Sequence, residues 1–287
     1  MPQVNDTGNL ENAQNIILAA ARFTEEHNAP AVQLVEKFNL SQGAKQVTVP
    51  KVASMNMSDL EDGFDIVDEE EIGMTTTDLT ASEVGAKIII TDKLLRQQND
   101  NVFTIVGRQM GDAMARKKDT DVHDLYSGFS NQFGGNKALT ISLLGACIAN
   151  AKANKFGNEL YFIHHPNAIY TLAASSISAL AGGQPIPQGY SQEFLGNFYS
   201  GIKPLNGVPV FEDGNLAENI DSNNDACGFI GAREAIAYLE SVEQNVERQR
   251  DASLRATEIV MTSDYGVFEL DDSKGAGATY DIADLTT

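Results

Sequence analysis

An α+β architecture is expected from three features of the chain. Period-two apolar alternation marks strands at 45–52 and 84–90, a helical stripe runs from 101 to 127, and short helices and strands alternate from 140 to 235 before the chain returns to strands. Together they describe an N-terminal arm, a long β-hairpin, a long helix and a compact α/β unit. With 287 residues, 42% apolar and 21% charged, the chain has ordinary globular composition and enough length to bury a substantial core.

Each element has its own signal. From Leu10 to Glu26, Ile16, Ile17, Ala20 and Phe23 recur at helical spacing before Asn28-Ala29-Pro30 ends the run, which predicts an amphipathic arm. A second apolar piece, Val32 to Phe38, leads to Ser41-Gln42-Gly43. The strand at 45–52 and the run Val84 to Ile90 are expected to pair as the stem of one hairpin. The 54–83 connection between them shows no sustained period and contains no Lys or Arg. It concentrates Asp59, Glu61, Asp62, Asp65, Asp68, Glu69, Glu70 and Glu71, a segment that cannot bury itself. A connection of this length implies a task, and contact with another chain is the expected one.

After Asn99 and Asp100, either suited to an N-cap, Phe103, Val106, Met110, Met114, Val122 and Leu125 form one helical stripe ending at Gly128. At about 1.5 Å per residue such a helix spans about 40 Å. Its other faces carry Arg108, Arg116, Lys117 and Lys118, a positive cluster in an acidic chain. Beyond Thr140 come a helix through Leu144, Ile148 and Ala151, a strand at Leu160 to His164 and a helix starting at Pro166. A flexible loop at 181–189, an edge strand at Val208 to Phe211 and a central strand at Cys227 to Ile230 follow. Strands are then expected near 236–248, 254–262 and 265–270.

Forty acidic against twenty basic side chains give a net charge of -20, which repels phosphate backbones and anionic membranes at long range. The two cysteines, Cys147 and Cys227, lack metal or redox spacing, so folding in a reducing compartment is expected. Neither a secretory leader nor a stretch of about 18 apolar residues is seen.

This order of elements resembles the Hong Kong 97-type major capsid protein of tailed bacteriophages. Four local stretches are similar to that family: Gln46-Val-Thr-Val-Pro-Lys51, Val106 through Asp121, Phe162-Ile-His-His-Pro-Asn167, and Glu247 through Val260 followed by Ser263-Asp-Tyr-Gly266. The resemblance implies an N-terminal arm at 1–43 and an extended loop at 44–91. It further implies a peripheral domain with a spine helix at 92–135 and 236–262, and an axial domain at 136–235 and 263–287. Its implied function is self-assembly, through hexamers and pentamers, into an icosahedral virion capsid enclosing double-stranded DNA without sequence-specific binding, assembled in the host cytoplasm. Implied partners are further copies of the chain, a separate scaffolding protein, a portal and, as an optional component, a decoration protein, with no membrane. The expected intersubunit contacts set Asp65, Asp68, Glu69, Glu70 and Glu71 against a neighbour's Arg108, Arg116, Lys117 and Lys118, or its Arg248, Arg250 and Arg255. The competing reading has the acids merely solvated. The family's type member crosslinks itself through a loop lysine. Residues 54–83 have none, so no covalent mesh is expected.

An enzyme would need a nucleophile with its base, a metal constellation or a phosphate cradle. The chain has no G-x-S-x-G, no G-x-x-x-x-G-K-[ST] and no H-E-x-x-H. His164-His165 offers half a metal site, but neighbouring strand residues face opposite ways. No catalytic residue, cofactor or metal is expected. Two alternatives remain: an encapsulin-like compartment on the same fold, and a carboxylate-based hydrolase.

Overall fold

The computed structural model describes residues 30–41, 43–52, 73–97, 102–157, 159–172, 207–218 and 224–282. The arm helix expected at 10–26, the acids at 59–71, the caps Asn99 and Asp100 and the loop at 181–189 lie outside these residues. Its strands are β1 (Glu36–Asn39), β2 (Gln46–Val52), β3 (Met74–Thr80), β4 (Ser82–Thr91), β5 (Gln132–Ala138), β6 (Leu160–His164), β7 (Val210–Glu212), β8 (Asp225–Ala232), β9 (Ile236–Asp251), β10 (Ala256–Glu269) and β11 (Gly275–Asp281). Helices occupy Ala31–Leu34, Asp92–Gln97, Val102–Asp124 and Ile141–Ala153, and another starts at 166. The mixed helix and strand architecture agrees with the expectation.

Three sheets result: β1-β9-β10-β4, β5-β11-β8-β6-β7, and the ribbon β2-β3. Every residue of β6 and of the central β8 is buried. Both strands have two covered faces, which explains their near-continuous apolar sequences. Tyr161, Ile163, Cys227 and Phe229 point into a core shared with the long helix Val102–Asp124 and with β10. Leu160, Phe162, Ala226 and Ile230 point the other way, against Leu144, Cys147, Ile148 and Ala151 of the helix Ile141–Ala153. That helix starts where Thr140 Oγ1 accepts the Leu143 N–H at 3.3 Å. The short strand at 210–212 is an edge, as its proline-containing sequence suggested.

The four-stranded sheet is dominated by the β9–β10 hairpin. Asp251 Oδ1 closes its turn by accepting the N–H groups of Ser253 at 2.9 Å and Leu254 at 3.2 Å. Two strands were expected at 254–262 and 265–270, but β10 is continuous. The register irregularity at 262–265 stays inside the sheet because Ser263, buried there, donates its hydroxyl to the Val242 carbonyl at 3.1 Å.

The expected hairpin stem is corrected. β2 pairs with β3, from Gln46 opposite Thr80 to Val52 opposite Met74. The run at 84–90 belongs to β4, which pairs instead with β10, from Ser82 opposite Tyr265 to Thr91 opposite Ala256. β3 escaped the period-two reading because Met-Thr-Thr-Thr-Asp-Leu-Thr buries only Leu79. β-branched threonines favour a strand without declaring an apolar face. Leu79 meets Ala237 and Leu239, and Phe38, Val47 and Val49 pack against this small cluster.

The long helix ends at Asp124 and not at 127, because Tyr126–Gly128 tightens into a 3-10 turn. Val106, Met110, Met114 and Val122 bury its inner face against Ile259, Met261 and Tyr265 of β10.

One glycine fixes the join between β5 and β11. Gly134 has φ +100°, and a Cβ there would collide with the Thr279 carbonyl oxygen. Gly134→Ala is therefore expected to destabilise the protein by roughly 2–4 kcal/mol, from backbone strain plus the steric clash. Denaturant unfolding of the purified variant beside the parent measures this.

Candidate functional site

The charges expected at intersubunit contacts divide sharply once placed. Asp65, Asp68, Glu69, Glu70 and Glu71 lie outside the described residues. Arg108, Arg116 and Lys117 are exposed on the long helix. Lys117 forms an i,i+4 ion pair with Asp121, whose other oxygen accepts the Tyr265 hydroxyl at 2.7 Å.

Lys118 requires a correction, because it does not belong to a surface cluster. It is buried, its ammonium donates to Glu240 Oε1 at 3.1 Å, and it sits 5.4 Å from the Tyr265 ring centre and 5.8 Å from that of Tyr238. Four residues after Met114, it occupies the helix's inner face, and only a carboxylate and two aromatic faces make that placement tolerable.

Arg248, Arg250 and Arg255 are exposed near the far end of the β9–β10 hairpin. Arg250 is already engaged within the subunit by a fork to Asp92, with bonds of 2.6 and 2.7 Å, and its guanidinium holds the Asp92 carboxyl below the usual carboxylate range. Arg255 has φ 48° in the hairpin turn, and its carbonyl accepts the Asp92 N–H at 2.9 Å.

A second constellation was not foreseen. Asp119 and His123 are one helical turn apart, and Asp213 follows β7; all three are buried. His123 Nε2 lies 3.1 Å from Asp119 Oδ2 and 3.0 Å from Asp213 Oδ2. Asp119 Oδ1 accepts the Ala31 N–H at 3.0 Å, and Asn215 Nδ2 donates to Asp119 Oδ2 at 3.1 Å. Asp213 Oδ1 accepts the Asn215 N–H at 2.8 Å.

Burial pushes the Asp119 carboxyl upward, but bonds to His123, Asp213 and Asn215 outweigh it and hold it at about 2. Asp213 is displaced upward, by burial first and by the neighbouring Asp119. Burial alone would lower His123, yet the two carboxylates raise it. Among the described residues this is the one group of three His, Cys, Asp or Glu side chains whose ligand atoms lie within 4.8 Å of one another. A histidine between two acids can hold or share protons, but among the described residues no serine, threonine, cysteine or lysine is bonded to it. The i,i+4 spacing of Asp119 and His123 was readable in the sequence, whereas nothing near Asp213 announces it.

His164 is bonded within the subunit at both ring nitrogens. His164 Nε2 donates to the Ala278 carbonyl at 3.1 Å, and its Nδ1 accepts the His165 N–H at 2.9 Å, so the neutral ring is fully satisfied. Burial lowers its pKa from 6.5 to about 4. Because the unfolded chain binds the proton more readily, the stability contributed by neutral His164 is complete above pH 6.5. It is lost as the pH falls from 6.5 towards 4, by about 3 kcal/mol in all. Unfolding free energies measured across that range should fall more steeply for the parent than for His164→Gln.

Comparison with known proteins gives a consistent result. The family model described as phage capsid protein matches residues 74–277. The acid-stable capsid of Helicobacter pylori bacteriophage KHP30 is similar with a TM-score of 0.70 at 12% identity, over 86% of this chain and 88% of that one. The mature capsid of bacteriophage PhiM1 is similar with a TM-score of 0.68 at 12% identity, covering 89% and 88%. A structure from Mycobacterium phage Che8 is similar with a TM-score of 0.64 at 16% identity, covering 92% and 90%. No curated protein matches the chain by sequence.

Proposed function

The chain belongs to the phage capsid protein family and is a structural subunit of a virion capsid built from many copies; on that basis we propose that it self-assembles, through hexamers and pentamers, into an icosahedral shell around double-stranded DNA. The observation that carries this reading is an open strand edge. β1 pairs with β9 only from Ala237 to Glu240, so from 241 to 251 the outer edge of β9 has no partner strand among the described residues. Exposed edges recruit further chains unless they are guarded. Here the exposed charges of Glu247 and Arg248 discourage indiscriminate aggregation along the edge.

Within this reading the five-stranded sheet forms the axial domain, and the long helix with the four-stranded sheet forms the peripheral domain. The peripheral part then extends through Glu269, where β10 ends. The β2–β3 ribbon carries the acidic segment 59–71 to a neighbouring subunit, where Arg108, Arg116 and Arg248 offer exposed positive charge. A scaffolding protein supplied separately guides closure in the host cytoplasm, a portal occupies one vertex, and the acidic shell encloses DNA without reading its sequence.

Expression of the chain alone and with its neighbouring reading frames, followed by negative-stain electron microscopy and sedimentation, tests the assembly. Closed shells, or capsomers that close once a scaffold is present, are expected; a monomer under every condition would overturn it. Shells filled with protein cargo instead of DNA would favour a compartment. For the acidic segment, Glu69→Gln, Glu70→Gln and Glu71→Gln combined should lower shell yield and flatten its dependence on salt. Unchanged yield and salt response would mean that these acids are only solvated.

A further inference from the structure

Asp119, His123 and Asp213 gather two carboxylates and an imidazole at one buried point, an arrangement that capsid assembly does not explain. The inner oxygens, Asp119 Oδ2 and Asp213 Oδ2, both face His123 Nε2. A single N–H cannot bond fully to two acceptors, and one imidazolium balances only one of the two carboxylates, so without a cation the other acid must keep a proton. The outer oxygens are held separately, Asp119 Oδ1 by the Ala31 N–H and Asp213 Oδ1 by the Asn215 N–H, which aims the inner pair. Orientation of ligand carboxylates by outer hydrogen bonds is the usual construction of a metal centre.

We propose that Asp119, His123 and Asp213 form a binding site for one divalent transition-metal ion, zinc or manganese in class, that clamps the long helix to the segment after β7. Two carboxylates and a neutral imidazole balance a doubly charged cation, and this mixed oxygen and nitrogen set suits those ions. Size agrees as well. Ligands about 2.0 Å from a tetrahedral ion stand about 3.3 Å apart; the separations from Nε2 to the two oxygens are 3.1 and 3.0 Å, and all three ligand atoms lie within 4.8 Å of one another, close enough to share one ion. The fourth position falls to water or to Asn215, whose amide lies 3.1 Å from Asp119 Oδ2 and presents its oxygen when turned over. The ion joins sequence-distant segments, because Asp119 also carries the backbone of Ala31.

The test uses untagged protein as purified, in whatever capsomer or shell form it adopts. It is stripped with EDTA, dialysed, and reloaded with zinc, manganese or cobalt chloride. Elemental analysis is expected to find about one ion per chain, thermal unfolding to shift upward on loading, and cobalt to give the visible absorption of a low-coordinate nitrogen and oxygen site. Asp213→Asn and His123→Gln should each weaken binding at least 100-fold and abolish the cobalt spectrum, while the surface variant Lys117→Ala retains both. Because the parent protein alone gives the first three readouts, a variant that fails to fold leaves the test intact. A parent that retains no stoichiometric ion and shows no thermal shift with any of the three metals overturns the proposal, as would full loading of a folded Asp213→Asn variant.

Discussion

The Asp119 carboxylate ties together three segments that are distant in the sequence. From one turn of the long helix it reaches the backbone of Ala31, the ring of His123 and the amide of Asn215. These contacts join the first described helix, the long helix and the segment leaving β7, Ala31 and Asn215 lying 88 and 96 residues from Asp119 in the sequence. Apolar packing supplies most of the stability of such a core, but it is indifferent to small sliding movements. A buried carboxylate with several fixed donors is not indifferent, since losing any one leaves a charge stranded away from water. It therefore fixes how the long helix sits against the helix Ala31–Leu34 and the segment leaving β7.

Lys118, the next residue back, extends this polar seam. It bonds to Glu240 and lies against Tyr238 and Tyr265, while Tyr265 reaches forward to Asp121. The inner face of the helix thus changes character along its length, from methionines against β10 to charged and aromatic groups. Greasy packing at one end tolerates adjustment, and directional bonding at the other fixes position. A subunit that must keep its shape while its neighbours pull on it gains from having both.

Much of the architecture was legible in the sequence, and the failures have physical causes. The strand at Cys227 to Ile230 announced itself through an unbroken apolar run, and it is the middle of its sheet. The helix after Thr140 was marked by the spacing of Leu144, Ile148 and Ala151. β3 was missed because a ribbon strand that buries one leucine has no apolar period to detect, so its partner was sought one strand too far along. Lys118 was misplaced because a lysine counts as surface until its partners are known, and those lie on β9 and β10, more than a hundred residues away. Half of the Asp–His–Asp cluster was visible as an i,i+4 pair. Asp213 came from a segment whose position only the folded sheet determines.

The double-faced strands β6 and β8 carry a further consequence. Along each of them, odd-numbered side chains answer to the long helix and even-numbered ones to the helix Ile141–Ala153. One stretch of backbone therefore bears two interleaved messages with separate readers. A change of volume at Phe229 must be accommodated by Tyr126, Phe129 and Tyr161, whose rings surround it, while a change at Ile230 one residue later is felt by a different set of side chains altogether. Two such chains can diverge on one side of this wall while remaining alike on the other, so sequence likeness between distant relatives is better sought in alternate residues than in consecutive ones.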